Sequence, residues 1–366
     1  MRTGLTLCFV IALGLGIGFG VSGPGKRKPV NSASAPSRTS ANLDQQRSLP
    51  PTVPLKVAGA LAVSPDGLLF VADVSRDEVL KRLPDGRFAD VAGDGRSGFT
   101  GDGGPATKAE LMSVSGLAFG ADGTLYIADG PRVREVTANG TIRTVAGSGR
   151  FGMRVYLPQA LVKSGAPALA ASLDPQNFLS IALSPSGVLY ISTGKQLLRL
   201  IDGRLYEVRA MVHGMPPGMN GQMSFDLGQV AVDHAGNVDV SGFNGWALWQ
   251  VSLTGDATQL STPGNGEERQ SGGDTSVLEQ GPGDFIYAED GGTIFRIEGT
   301  RLVPFKNFGD VAGQWFTLTN FAFAPNGTLY ADDLNGGGGF QLDQLLIAVQ
   351  NRHTRVLWQQ HNKSSP

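Results

Sequence analysis

The feature that most limits how this chain can fold is a short hairpin pattern written six times. Two apolar runs flank a turn that closes on glycine in GALAVSPDGLLFVAD (59–73), SGLAFGADGTLYIAD (115–129) and LSIALSPSGVLYIST (179–193). The pattern returns in GQVAVDHAGNVDVSG (228–242), TSVLEQGPGDFIYAED (275–290) and TNFAFAPNGTLYADD (319–333). An Asp-Gly or Asn-Gly pair between alternating apolar runs is the strongest short-range hairpin signal. The turn glycines, Gly67, Gly123, Gly187, Gly236, Gly283 and Gly327, are separated by 56, 64, 49, 47 and 44 residues. A repeat of roughly 40 to 50 residues made of short strands predicts a propeller or a related array.

Each copy continues into a third strand, a second turn and a fourth strand, as in VLKRLPDGRFADVAG and VREVTANGTIRTVAG. The expected fold is therefore all-β, a six-bladed β-propeller of four-stranded antiparallel blades. A single blade cannot bury both of its faces. Six blades packed round an axis cover one another and leave only short edges.

Composition agrees. The 52 glycines follow no Gly-X-Y period, which excludes collagen, and suit a fold with many tight turns. A net charge of -2 argues against a nucleic-acid partner. The single cysteine, Cys8, falls in the N-terminal apolar run, so the globular part has neither disulfide nor thiolate metal site.

Residues 1–22 read as a signal peptide or an N-terminal membrane anchor. Arg2 precedes an uncharged apolar run over 5–21, and Gly20-Val21-Ser22 supplies the small residues that cleavage needs. Attachment to a membrane through 5–21 is the alternative to cleavage, and either reading makes the protein an exported one. Residues 23–54 form a Pro/Ser/Ala-rich basic linker that cannot bury enough surface to order itself. The propeller is expected over 55–360, with a short tail at 361–366.

The phrase GDGGPATKAEL followed by GLAFGADGTLYIAD resembles the repeat of NHL-repeat propellers, in the branch found among bacterial exported proteins. The likeness is most specific over 95–147. The Pro-Ala-x-x-Ala-x-Leu spacing of Pro105, Ala106, Ala109 and Leu111 is echoed by Pro167, Ala168, Ala171 and Leu173. After the strand-ending Asp the chain departs from the family's usual Asn-His-Arg, reading Val74-Ser75-Arg76 and Gly130-Pro131-Arg132. The resemblance implies a binding or scaffold module, or else a lactonase- or lyase-type enzyme with a divalent ion on the axis. For the second, Asn177, Asn220, Asn244, Asn320 and Asp290 are the candidate oxygen ligands, and His213 and His234 the candidate histidines. His353 and His361 fall in or beyond the last strand, away from the axis.

The repeated carboxylates Asp73, Asp129, Asp290 and Asp332 are read as strand-end residues that bond nearby backbone N–H groups. Asp66, Asp122 and Asn326 are read as turn residues. The Gly101–Gly104 loop lacks the Lys-Ser/Thr of a phosphate loop and the alternating oxygens of a calcium loop, and is read as an inter-blade connection. Inter-blade loops nevertheless help form a propeller face. Asp94, Arg96, Phe99 and Asp102 are therefore candidates for that face, with Met215, Met219 and Asn220 of the methionine-rich stretch 211–223 and Trp246. No catalytic residue is assigned. No cofactor is expected, calcium being the one ion kept open, and the ligand is a protein, a glycan or a small molecule.

Overall fold

The computed structural model describes residues 52–149, 161–173, 179–209, 211–212, 227–242, 248–260, 277–290, 293–299, 301–308, 318–335, 343–351 and 353–360. The expected leader at 1–22, nearly all of the expected linker and the tail at 361–366 lie outside the described residues. Among the described residues no helix is long and apolar enough to cross a membrane.

The chain builds six sheets, each from one contiguous stretch, as the hairpin pattern requires. In blade one the strands run from axis to rim as Ala58–Val63, Leu69–Asp73, Glu78–Arg82 and Phe88–Ala92. Blade two repeats this with Val114–Phe119, Leu125–Asp129, Arg132–Val136 and Ile142–Ala146. The innermost strands of blades three to six are Ser180–Leu183, Leu227–Val232, Leu278–Gln280 and Leu318–Phe323. The inner hairpins share one register, with Leu61 opposite Val71, Leu117 opposite Ile127, Ile181 opposite Ile191 and Val230 opposite Val240. All six turn glycines have φ between 73° and 88°, a left-handed conformation that side chains disfavour.

Three blades exceed the expected four strands. Thr52–Val53 pairs antiparallel with the outer strand of blade one, and Ala166–Pro167 does the same in blade three. Met211–Val212 adds a parallel strand to blade four. Thr52 thereby begins the propeller three residues before the expected boundary. The cause is the unpaired backbone edge that any outermost strand presents, which a neighbouring segment satisfies. In blade two the preceding connection plays that part: the Gly103 N–H donates to the Ile142 carbonyl (2.8 Å), and the Ile142 N–H to the Gly104 carbonyl (3.1 Å).

Burial follows the blades. Six apolar clusters form, one at each interface between neighbouring blades. Val71, Val79, Leu80, Ile127, Ile191 and Ile294 are fully buried in them. Burying a side chain of this size contributes roughly 1.5–3 kcal/mol. The Pro-Ala-x-x-Ala-x-Leu echo also has its explanation here. Ala106, Ala109 and Leu111 fill the space between blades one and two, while Ala168, Ala171 and Leu173 fill that between blades two and three.

The turn residues act as expected. Asp122 accepts the Thr124 N–H (3.0 Å) and Asn326 the Thr328 N–H (2.9 Å), while the Ser64 hydroxyl donates to Asp66. Asp73 accepts the N–H groups of Ser75 (3.2 Å) and Lys56 (2.7 Å), and Asp129 that of Met112 (2.5 Å). Asp332 needs correction. In blade six the residue opposite Leu318, in the place of Asp73 and Asp129, is Asp333, because the strand runs on to Asn335. Asp332 lies one residue earlier on the other side of the strand, buried, accepting from the Thr319 hydroxyl and the Gln344 amide (both 2.9 Å).

Candidate functional site

The connection that crosses from blade one to blade two carries four of the residues expected at a binding face. Asp94 is held by Arg96, which donates from its backbone (3.1 Å) and from Nε (3.0 Å). The Arg96 hydrogen bonds hold the Asp94 carboxyl below its usual range. Phe99 lies under the Arg132 guanidinium, 4.7 Å from its ring centre, and its carbonyl accepts from Arg132 Nη1 (3.2 Å). Asp102 accepts from Nε (3.1 Å) and Nη2 (2.6 Å) of Arg134.

Arg134 organises this region. It is fully buried, and also donates to the carbonyls of Glu110 (2.8 Å) and Thr100 (3.1 Å) and faces Asp129 at 3.5 Å. A buried guanidinium must spend its donors on nearby acceptors, and a planar fork can serve several at once. Burial pushes the Asp129 carboxyl up to about 7, against the opposing pull of the Met112 N–H and Arg134. Asp102 and Phe99 thus brace the connection on blade two, while Arg96 remains exposed. Met215, Met219, Asn220 and Trp246 lie outside the described residues, so they are not placed beside this group.

The second candidate is the axis itself. A channel of about 620 Å³ runs between the innermost strands of all six blades. Each of those strands is paired on one side only, so its other edge turns backbone N–H and C=O groups toward the lumen. At the hairpin end the mouth is framed by the turns at Ser64-Pro65, Gly120-Ala121, Ser184-Pro185, His234, Pro282–Asp284 and Ala324-Pro325. No lysine or arginine lines this channel among the described residues.

One tier of the wall breaks the repeat. The residue paired with the second-strand aromatic or its equivalent is Ala62, Ala118, Ala182, Ala231 and Ala322 in five blades. In blade five it is Glu279, opposite Tyr287. Glu279 is partly exposed to the lumen yet walled by protein on every side, and this burial raises its carboxyl to about 8. It makes no hydrogen bond or ion pair with any described residue. Sequence reading passed it over, because the fifth hairpin is the least regular copy. Stacking the six hairpins on their turn glycines sets Leu278, not Glu279, beside the alanines, and the acid joins that column only through the strand register.

His234 stands at the channel mouth, 3.8 Å from Asp284 of the neighbouring blade, both side chains exposed. Asn320 also lines the channel. Asn177, Asn220, Asn244 and His213 lie outside the described residues, and the Asp290 side chain is likewise not described. His353 begins the outermost strand of blade six, away from the axis. No three of His, Cys, Asp or Glu converge among the described residues. Their side chains alone do not complete the six to eight oxygens that calcium takes.

Six sheets radiating round an axial channel define a six-bladed β-propeller. Within that class, the signature of the Teneurin NHL domain matches residues 93–161. Teneurin-3 of Danio rerio is 24% identical over 253 residues, covering 64% of this chain and 8% of that protein. The chain spans between 2% and 8% of the length of the curated relatives it matches. Among solved structures, a putative gluconolactonase aligns with a TM-score of 0.52 at 14% identity, over 83% of this chain and 91% of its own. The virginiamycin B lyase of Staphylococcus aureus aligns with a TM-score of 0.51 at 13% identity, over 84% and 86%. Such identities speak for the fold alone. Residues 93–161 thus carry the NHL-repeat signature, and the chain as a whole is a six-bladed β-propeller.

Proposed function

We propose that this propeller is a binding module, exported from the cytoplasm through its N-terminal segment, that takes a ligand at the hairpin-end face and into the axial channel. One observation carries the reading. The channel wall combines unpaired backbone edges with small side chains, which leaves room and hydrogen-bonding groups together. Ligand sites are commonly concave, of roughly 300–1,000 Å³, with a few placed polar groups. The ligand class is a small molecule or the projecting end of a glycan or peptide.

The test is hydrogen exchange on the full chain in the presence of ligands selected by thermal shift. Protection centred on the inner strands, at 60–64, 115–119, 180–183 and 229–232, supports channel binding. Protection confined to the rim moves the site elsewhere.

A second reading, an enzyme of the lactonase or lyase sort with a divalent ion on the axis, draws on the likeness in fold to such proteins and on the acid at Glu279. Metal content of the purified protein separates the two. Stoichiometric calcium or zinc would replace the binding-module reading.

A further inference from the structure

We infer that the axial channel selects a small organic cation, with Glu279 as the counter-charge to a ligand ammonium group. The inference rests on the reading of the channel as the binding site, and it goes further by naming the ligand class.

Geometry isolates this carboxyl. Ala62, Ala118, Ala182 and Ala231 line the same tier from four other blades and the equivalent Ala322 is buried, so among the described residues Glu279 is the one charged side chain at that register position. The remaining charged or titratable side chains on the described channel wall are His234 and Asp284 at the mouth. Tyr287 faces Glu279 across the hairpin, and the first strand of blade six presents Asn320, Phe321 and Phe323. None of these exerts a charge on the Glu279 carboxyl, whose ionisation is governed by burial alone. A buried carboxylate is costly unless it is paired. No lysine or arginine among the described residues lines the channel, so a cationic ligand completes the pair.

Binding of a cation displaces the Glu279 proton to solvent, and the ammonium then faces the carboxylate. Affinity therefore rises with pH. A carboxyl with a pKa of about 8 is roughly 10% ionised at pH 7 and 90% at pH 9, so the apparent affinity climbs about tenfold across that interval. An alkylammonium probe remains charged throughout, its pKa lying close to the lysine value of about 10.4.

The experiment is calorimetric titration of the full chain with n-hexylammonium chloride and with 1-hexanol, at pH 7 and pH 9. It compares the wild type with Glu279→Ala and Glu279→Gln. Alanine occupies this position in the other five blades, and glutamine keeps the shape, so a fold defect in one variant leaves the other informative. The expected result is saturable hexylammonium binding that tightens about tenfold with pH in the wild type. Both variants should bind it more weakly and without that pH dependence. Equal binding of the alcohol, unchanged binding by both variants, or no saturable binding of the ammonium would overturn the inference. Hexanol binding that weakens toward pH 9 would show the protonated acid donating to a neutral ligand, overturning the cation while leaving the channel reading intact. If hydrogen exchange finds no ligand that protects the inner strands, the channel reading falls as well.

Discussion

Gln344 and Ala58 join the two ends of the ring through a paired exchange. The Gln344 Nε2 donates to the Ala58 carbonyl (2.6 Å), and its Oε1 accepts from the Ala58 N–H (3.0 Å). The same amide donates to Asp332 (2.9 Å). One side chain thus does for the seam between blades six and one what a ladder of backbone bonds does within a blade. Gln196 repeats the device on Val162, at 2.6 and 3.2 Å, where the incoming connection meets blade three.

Gln344→Ala is expected to destabilise the protein by about 2–4 kcal/mol, since it orphans a buried N–H, a buried C=O and part of a buried carboxylate. Denaturant titration reads the loss. A change within a few tenths of a kcal/mol of wild type would mean that the apolar cluster round Leu61, Ala322 and Leu346 closes the ring unaided.

Arg134→Met should cost about 3–5 kcal/mol, because Asp129 stays buried and loses its guanidinium. Arg134→Lys should recover little, as an ammonium cannot reach Asp102, Thr100 and Glu110 together. Limited proteolysis between 98 and 105 provides the local readout, with cleavage appearing in both variants and not in the wild type.

Asp239 gives a pH test. It stands fully buried where other blades carry an aromatic, with the Gln250 amide donating to one oxygen (3.2 Å). Burial raises its carboxyl to about 7. A carboxyl whose folded pKa lies above its unfolded value of about 3.9 stabilises the protein in acid and loses that contribution as pH rises through about 7. Asp239→Asn should therefore flatten stability between pH 4 and pH 8, adding up to about 4 kcal/mol at the alkaline end. Melting curves across that range decide it; an unchanged pH profile would contradict the assignment.

Two glycines separate backbone conformation from steric room. At Gly147, with φ at 92°, a Cβ would sit 2.2 Å from the Pro131 carbonyl oxygen, whereas at Gly123, φ 83°, nothing lies within 4 Å. Gly123→Ala is expected to cost about 1–2 kcal/mol for the left-handed backbone alone. Gly147→Ala should cost clearly more, seen as a lower denaturation midpoint.

The blades were legible because the hairpin is local: glycine turns, alternating residues and repeat length all lie within a few tens of residues. The extra edge strands were not, since Thr52–Val53 and Ala166–Pro167 are too short to carry a pattern and exist only because an outer edge is nearby. Asp332 was misplaced because blade six extends its second strand by two residues beyond the repeat, shifting the apparent strand end. The loop from Asp94 to Asp102 was legible as an inter-blade connection, but the buried Arg134 that holds Thr100 and Asp102 was not, because a charged residue in a strand gives no sign of which loop will fold over it. Glu279 was hidden differently. Its meaning lies in what the other five blades have in its place, and that comparison needs the register.

Because every blade is one contiguous segment, the strands nearest the two ends of the propeller lie on the rims of adjacent blades: Thr52–Val53 on blade one and His353–Gln359 on blade six. A pull applied between those ends is carried to the seam they flank. Among the described residues no strand of one blade pairs with the other there, so resistance comes from side-chain packing and the Gln344 amide. The ring has a built-in parting line, and tension along the chain would open it like a clasp, widening the channel before any blade unravels.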